Sequence, residues 1–181
     1  MTAQIVIVGL GPGPRDTVTD ATLQAIARIK TQFIRTRRHP TADLMPTATS
    51  FDDLYETLDT FDEVYSAITE QLVASAIEHG EILYAVPGSP LILESSVAAL
   101  RTDTRVTVSV LPAMSFLDLA WEALGIDPVN AGVRLIDGHR FAIAAAQHAL
   151  EHLGGAGIDF LVRHVGRHID KVSGTGFGCE L

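Results

Sequence analysis

The amino-acid sequence predicts a two-lobed α/β protein with a mainly parallel sheet in its N-terminal lobe, and three observations support this prediction. Two apolar runs, residues 5–8 and 82–86, have the composition of strands that are covered on both faces. Each run ends in a glycine turn. Between them, residues 60–80 show the apolar spacing of an amphipathic helix. Strands that alternate with helices form parallel sheets through right-handed crossovers.

The first part of the chain has the pattern strand, helix, strand and loop. Residues 5–8 are the first predicted strand, and helical periodicity begins at Thr19, after the glycine turn. A short second strand is predicted at residues 32–36. Residues 37–46 contain two prolines and little periodicity, which predicts a loop.

The clearest helix signal lies in the middle of the chain. Thr60 and Glu63 have the spacing of a capping box, in which each side chain accepts a hydrogen bond from the other residue's backbone N–H. Gly80 is the expected end of this helix, because glycine readily adopts the left-handed conformation that follows many helices. The strand at residues 82–86 comes next.

The turn after this strand is predicted to lead straight into another helix. Ser89 and Pro90 have the residue types of an N-cap and a first helical position, and the helix is expected to extend to about residue 100. Valines then alternate with polar residues at positions 106–110, which predicts a further strand.

A second lobe is predicted to begin near residue 112. This divides the chain into an N-terminal lobe, residues 1–111, and a short C-terminal α/β lobe, residues 112–181. Ser115 and Asp118 have capping-box spacing, with Asp in place of the usual Glu, and the helix that they begin is expected to end at Gly125. Three later elements are predicted: a strand at 133–136, a helix at 141–153 and a strand at 158–162.

Composition and charge exclude several classes of protein. The chain has 181 residues, 47% of them apolar, which allows a substantial core. Its formal charge of −9 argues against nucleic acid or an anionic membrane as a partner, because both bind basic surfaces. The single cysteine, Cys179, excludes an intrachain disulfide framework and favours a cytoplasmic location. No apolar run approaches the roughly 20 residues of a membrane span.

The two glycine turns are the strongest candidates for a binding site. Residues 9–13, Gly-Leu-Gly-Pro-Gly, follow the first strand, and residues 87–90, Pro-Gly-Ser-Pro, follow the strand at residues 82–86. The carboxyl ends of parallel strands lie at one edge of a sheet, where open α/β sheets bind their ligands. Either turn alone is equally consistent with a plain strand-to-helix connection. Two such turns in one small sheet favour a ligand.

The first turn fits the dinucleotide-binding fingerprint poorly. Pro14 occupies the position of the third glycine. The acidic residue expected after the second strand is replaced by a basic cluster, Arg35, Arg37 and Arg38, which leaves an NADP-dependent oxidoreductase as an alternative. The loop at residues 87–90 is neutral and bordered by prolines, which suits a ligand with adenine, ribose and no phosphate better than it suits a nucleotide.

Other residues that could carry chemistry have simpler interpretations. His148 and His152, like His164 and His168, are spaced as helical pairs that could bind zinc, but surface histidines are the preferred interpretation. The acidic run within residues 52–63 is interpreted as a solvated helix face and linker in preference to a magnesium site. We predict no metal site.

Taken together, the motifs resemble those of the tetrapyrrole (corrin and porphyrin) methylases, which are S-adenosylmethionine-dependent methyltransferases with two α/β lobes. Residues 8–13, with Thr19 after them, are similar to the family's opening glycine-proline loop and its downstream threonine. Residues 86–90 lie where the family has a Gly-Asp-Pro loop, and residues 111–116 lie where it has a Pro-Gly-x-Ser turn. The resemblance covers about residues 3–140.

The resemblance implies that S-adenosylmethionine binds between the two lobes. Direct contacts with this cofactor are implied for Pro12, Ser89, Ile92, Ser115 and Phe116. The surrounding backbone would be shaped by Gly11, Gly13, Pro87, Gly88 and Pro90. Two positions depart from the family pattern, because Ser89 stands where the family has aspartate and Ala113 where it has glycine.

The implied activity is methyl transfer to a small-molecule acceptor such as a tetrapyrrole. The methyl group of the cofactor is already activated, so no catalytic residue is named. A homodimer is expected from the resemblance. Residues 51–68 look most like the methylase domain that is fused ahead of MazG-type nucleotide pyrophosphohydrolases. The alternative is therefore a non-catalytic cofactor-binding or dimerisation module that serves such a hydrolase.

Overall fold

Five parallel strands form one sheet in the computed structural model, which describes residues 3–136. The strands are β1 (Gln4–Gly9), β2 (Gln32–Ile34), β3 (Thr49–Ser50), β4 (Glu81–Val86) and β5 (Thr107–Val110). Their order across the sheet is β3-β2-β4-β1-β5, and every pair is parallel. The predicted α/β fold with a parallel sheet is confirmed.

Helices cover the sheet on both faces. The helices of the described residues are α1 (Asp20–Arg28), α2 (Asp52–Thr57), α3 (Phe61–His79), α4 (Ser95–Thr102) and α5 (Phe116–Leu124). Residues of α1, α3 and α4 pack against the strands. Along β1, Ile5 and Ile7 pack in a core cluster with residues of α3 and α4, whereas Val6 and Val8 pack in a second cluster with residues of α1. The central strands therefore bury both faces, which explains their unbroken apolar runs.

Most predicted helix ends are present where their capping residues indicate. The Thr19 side chain accepts a hydrogen bond from the backbone N–H of Thr22 (3.2 Å) at the start of α1. Thr60 and Glu63 form the reciprocal capping box of α3. Gly80 ends this helix with φ +83°.

The start of α4 was predicted wrongly. Ser89 and Pro90 do not begin a helix, because α4 starts at Ser95 with Glu94 as its N-cap. Gly88 (φ +63°) directs the chain into a separate turn, which the backbone N–H of Ile92 closes by donating to the carbonyl oxygen of Ser89 (3.1 Å). Two short elements, β3 and α2, were not predicted, since each has too few residues to show a clear period.

The first compact unit of the chain ends at Ala120, and a second begins at Trp121. Within the second unit, the Asp127 carboxylate accepts hydrogen bonds from the backbone N–H groups of Val129 (2.8 Å) and Asn130 (3.3 Å) and fixes a turn. Residues 133–136, for which a strand is predicted, do not form a strand in the structure.

The remaining predicted elements lie outside the described residues. These are the helix at 141–153 and the strand at 158–162, together with the histidine pairs and Cys179. Across residues 3–136, no helix combines the length and apolar character that a membrane crossing would require.

Candidate functional site

The two glycine turns lie side by side at the carboxyl edge of the sheet. β1 and β4 are direct neighbours, with Gly9 in register with Val86, so their connecting loops leave the sheet at the same level. We call residues 10–14 the first loop and residues 87–94 the second loop. The backbone N–H of Gly11 donates to the carbonyl oxygen of Gly88 (3.3 Å), and the N–H of Gly88 donates to the carbonyl oxygen of Gly11 (2.8 Å). This bridge joins the loops directly.

Gly9 shows that a third segment meets the two loops. A Cβ atom placed on Gly9 would collide with the carbonyl oxygen of Gly88 and would lie 2.9 Å from Cδ of Pro90 and 2.5 Å from Cβ of Ala113. Only glycine allows this close approach. Segments that are far apart in sequence therefore converge at one point, which we call the glycine junction (Gly9, Gly88, Pro90 and Ala113).

The junction leaves backbone exposed to open space. A Cβ on Gly13 or on Gly88 would have no atom within 4 Å. A ligand can therefore approach the main chain of both loops, as a nucleoside bound by backbone groups requires. Gly11 has a different role, because its φ is +74° and a Cβ there would lie 2.7 Å from the carbonyl oxygen of Thr17.

The segment after the junction forms the predicted cap of α5. The Asp118 carboxylate accepts hydrogen bonds from the backbone N–H (2.7 Å) and the hydroxyl (3.0 Å) of Ser115. The Ser115 hydroxyl oxygen also accepts from the N–H of Leu117 (3.2 Å). Ser115 is buried, whereas Phe116 is 52% exposed. The serine therefore serves as a cap, and the Phe116 ring is available to a ligand.

The ten residues predicted for the cofactor site fall into three groups. Gly11, Gly88 and Pro90 take part in the bridge or the junction. Pro12 and Gly13 lie in the first loop, and the second loop adds Pro87, Ser89 and Ile92. Ser115 and Phe116 follow shortly after Ala113, the residue of the third segment that lies at the junction.

The departure at Ala113 is accommodated by the backbone. Leu93 is the one non-glycine residue with positive φ (+56°) among those that the structure describes. Ala113 therefore does not occupy the left-handed region that would demand glycine. Its methyl group packs against Gly9 instead.

The sequence interpretation missed His39, which lies against the first loop. Its Nε2 is 3.0 Å from the carbonyl oxygen of Gly11, and its Nδ1 is 2.9 Å from Oγ1 of Thr41. Burial, and to a lesser extent the positive charge of Arg35, lower the pKa of His39. No sequence motif marks this residue, since it lies in a loop 28 positions after its partner.

A buried ion pair, also missed, includes the last residue of the second loop. Arg35 Nη1 is 3.1 Å from Oε1 of Glu94, whose side chain is only 4% exposed. Burial raises the pKa of Glu94 to about 7, although Arg35 opposes this. Within residues 3–136, the second carboxylate oxygen of Glu94 and the buried hydroxyl of Tyr55 have no hydrogen-bond partner. Burial also raises the pKa of Tyr55 to about 12.

The three arginines that suggested NADP are all engaged by the protein itself. Arg35 pairs with Glu94, and Arg38 pairs with Glu56 at 3.1 Å. The Arg37 guanidinium donates to three backbone carbonyl oxygens of the loop at residues 45–48. A phosphate would have to replace these contacts, which argues against an NADP site.

No metal centre is formed by the part of the chain that the structure describes, where no three His, Cys, Asp or Glu side chains group together.

Comparison with known proteins matches this chain to one protein family and to two solved structures with a similar fold. The model of the Tetrapyrrole (Corrin/Porphyrin) Methylases matches residues 4–158. The uncharacterized protein YabN of Bacillus subtilis (strain 168) is 34% identical over 144 residues, which cover 76% of this chain and 29% of YabN. The chain thus spans less than a third of that relative.

Two solved structures share the fold. Uroporphyrin-III-C-methyltransferase from Thermus thermophilus matches with a TM-score of 0.55 and 20% identity, over 70% of this chain and 55% of that protein. The methyltransferase CobJ matches with a TM-score of 0.55 and 19% identity, over 82% of this chain and 64% of that protein. At these identities the similarity concerns the fold.

Proposed function

Because the chain belongs to the tetrapyrrole (corrin/porphyrin) methylase family, we propose that it binds S-adenosylmethionine at the glycine junction and transfers the methyl group to a small molecule. One observation carries this proposal. The three motifs that resemble the family, at residues 8–13, 86–90 and 111–116, meet at one point of the sheet edge.

The chemistry of the junction suits this cofactor. The main chain beside Gly13 and Gly88 faces open space, so a ligand can lie against it. Backbone groups of the loops that take no part in the Gly11–Gly88 bridge would bind adenine, ribose and the amino-acid end. The exposed Phe116 ring and the partly buried Ile92 add apolar surface. No arginine or lysine belongs to either loop, which agrees with a ligand that carries no phosphate.

The protein has little to do in the reaction beyond alignment. S-adenosylmethionine supplies a methyl group that is already activated on a sulfonium centre. The loops would hold the acceptor in line and exclude water, and Ser115 would keep the start of α5 fixed. An acceptor such as a tetrapyrrole, suggested by the family's name, is part of the proposal.

Isothermal titration with S-adenosylmethionine tests the proposal. Gly13→Leu should leave thermal stability unchanged, because a Cβ there meets nothing within 4 Å, but should weaken binding at least about tenfold by filling the ligand's space. Thr47→Leu, at an exposed position in a different loop, is the control and should bind like wild type. Absence of heat from the wild-type protein at millimolar ligand would overturn the proposal.

A second candidate is a cofactor-binding or dimerisation module that serves a MazG-type nucleotide pyrophosphohydrolase without methylating anything. Ser89 favours it, since a neutral hydroxyl replaces the carboxylate that would accept charge-assisted hydrogen bonds from the cofactor. Cofactor binding without turnover of any acceptor would support this candidate. Ser89→Asp should then tighten binding by about tenfold. Sedimentation of the wild-type chain tests the homodimer.

A further inference from the structure

The carbonyl oxygen of Gly11 accepts two hydrogen bonds from distant parts of the chain. One donor is the backbone N–H of Gly88 at 2.8 Å, which forms half of the bridge between the loops. The other is Nε2 of His39 at 3.0 Å. Both lone pairs of this carbonyl oxygen are therefore used. One accepts from Gly88 in the bridge between the loops, and the other accepts from the imidazole of His39.

Only one tautomer of His39 fits this arrangement. The backbone N–H of Thr41 donates to Nδ1 at 3.3 Å, so Nδ1 carries no proton. The proton therefore lies on Nε2, which donates to Gly11. Burial lowers the pKa of His39 and favours this neutral form near pH 7.

Thr41 holds the imidazole of His39 in place. With Nδ1 unprotonated, the single proton of the Thr41 hydroxyl is donated to Nδ1 at 2.9 Å, and the carbonyl oxygen of Leu10 lies farther from the hydroxyl oxygen, at 3.4 Å. Thr41 thus fixes the imidazole, which in turn holds the carbonyl group of Gly11. The loop at residues 37–46 is in this way tied to the first loop.

We propose that His39 is a positioning residue that holds the first loop against Gly88 and thereby sets the affinity for the cofactor. The inference rests on the proposed function for its ligand. Removing the imidazole leaves one lone pair of a buried carbonyl unsatisfied and loosens the bridge. The cofactor must then order the loop as it binds, which lowers its affinity.

The experiment compares His39→Phe, which keeps a ring without nitrogen, with His39→Gln, whose side-chain amide can donate to Gly11. His79→Phe, at an exposed position in the last turn of α3, is the matched control. Two quantities are measured: hydrogen exchange of the Gly88 amide without ligand, relative to the Val8 amide in β1, and the Kd for S-adenosylmethionine.

For His39→Phe we expect about tenfold faster exchange at Gly88, unchanged exchange at Val8 and a Kd raised about tenfold. His39→Gln should restore both quantities to within about threefold of wild type, and the control should match wild type. Unchanged Gly88 exchange in His39→Phe would overturn the positioning role, even if the wild-type protein binds no cofactor. Faster exchange with an unchanged Kd would overturn the link to the cofactor. If His39→Phe does not fold, His39→Gln is compared with wild type directly. A difference of more than about threefold in Gly88 exchange and in Kd would then contradict the proposal.

Discussion

The two glycine loops lie side by side, but they are held in different ways. The backbone of the first loop is bonded at successive positions: Leu10 N–H donates to Val86, and Gly11 exchanges two hydrogen bonds with Gly88. The second loop depends on a strained residue, Leu93 (φ +56°), and on a buried carboxylate, Glu94. Two loops of similar composition are thus held differently. The bridge is common to both, but the first loop is also bonded to β4 through Leu10, whereas the second contains a left-handed residue and a buried carboxylate.

The contact that the loops share should give the largest effect. Gly9→Ala places a methyl group against the carbonyl oxygen of Gly88 and the side chain of Ala113. The Gly88 oxygen belongs to the backbone, which cannot easily move to make room. We expect a loss of about 3 kcal/mol in the free energy of unfolding, measured by denaturant titration, and loss of cofactor binding. Gly13→Ala is the control and should be neutral or slightly stabilising. Equal stability of the two variants would show that the loops can separate without cost.

The buried charge at the end of the second loop should give an intermediate, pH-dependent effect. Burial raises the pKa of Glu94 from 4.5 in the unfolded chain to about 7, so the folded protein binds more protons between these values. Its stability therefore falls as the pH rises through this window. Glu94→Gln removes this titration, and its stability relative to wild type should increase by about 1–3 kcal/mol between pH 5 and pH 8.

Glu81→Gln is the matched control for this charge. Glu81 pairs with Arg28 at 2.8 Å, but its side chain is 35% exposed. Removing it should change stability little at either pH, because solvent screens such pairs. Parallel pH profiles for wild type and Glu94→Gln would show that the pKa of Glu94 is the same in the folded and unfolded protein, which would contradict the effect of burial.

The strained residue should give the smallest effect. Leu93 is 68% exposed, so Leu93→Gly removes little packing and relieves a left-handed conformation that costs a non-glycine residue roughly 1–2 kcal/mol. After the entropy cost of glycine, we expect a gain of about 0.5 kcal/mol in thermal or denaturant unfolding. Leu91→Gly, at a neighbouring exposed position without positive φ, should instead destabilise. Similar results for both would rule out strain at Leu93.

The residue types at neighbouring positions were sufficient to predict most of the helices and strands. Thr60 and Glu63 mark the start of α3 and Gly80 its end, because the capping groups and the helix that they terminate lie within a few residues of one another. The start of α4 could not be obtained in this way. Ser89 and Pro90 have suitable residue types, but the bridge to Gly11 holds the chain in a turn at that point.

The sequence by itself determined the alternation of strands and helices, the helix caps and the two glycine turns, since each depends on residues that are close along the chain. Only the tertiary structure decided that Gly9 faces Ala113, that His39 supports Gly11 and that Arg35 pairs with Glu94 inside the protein. These contacts join residues on separate elements. Sheet register and side-chain packing bring them together, and neither can be predicted from the residue pattern of a single segment.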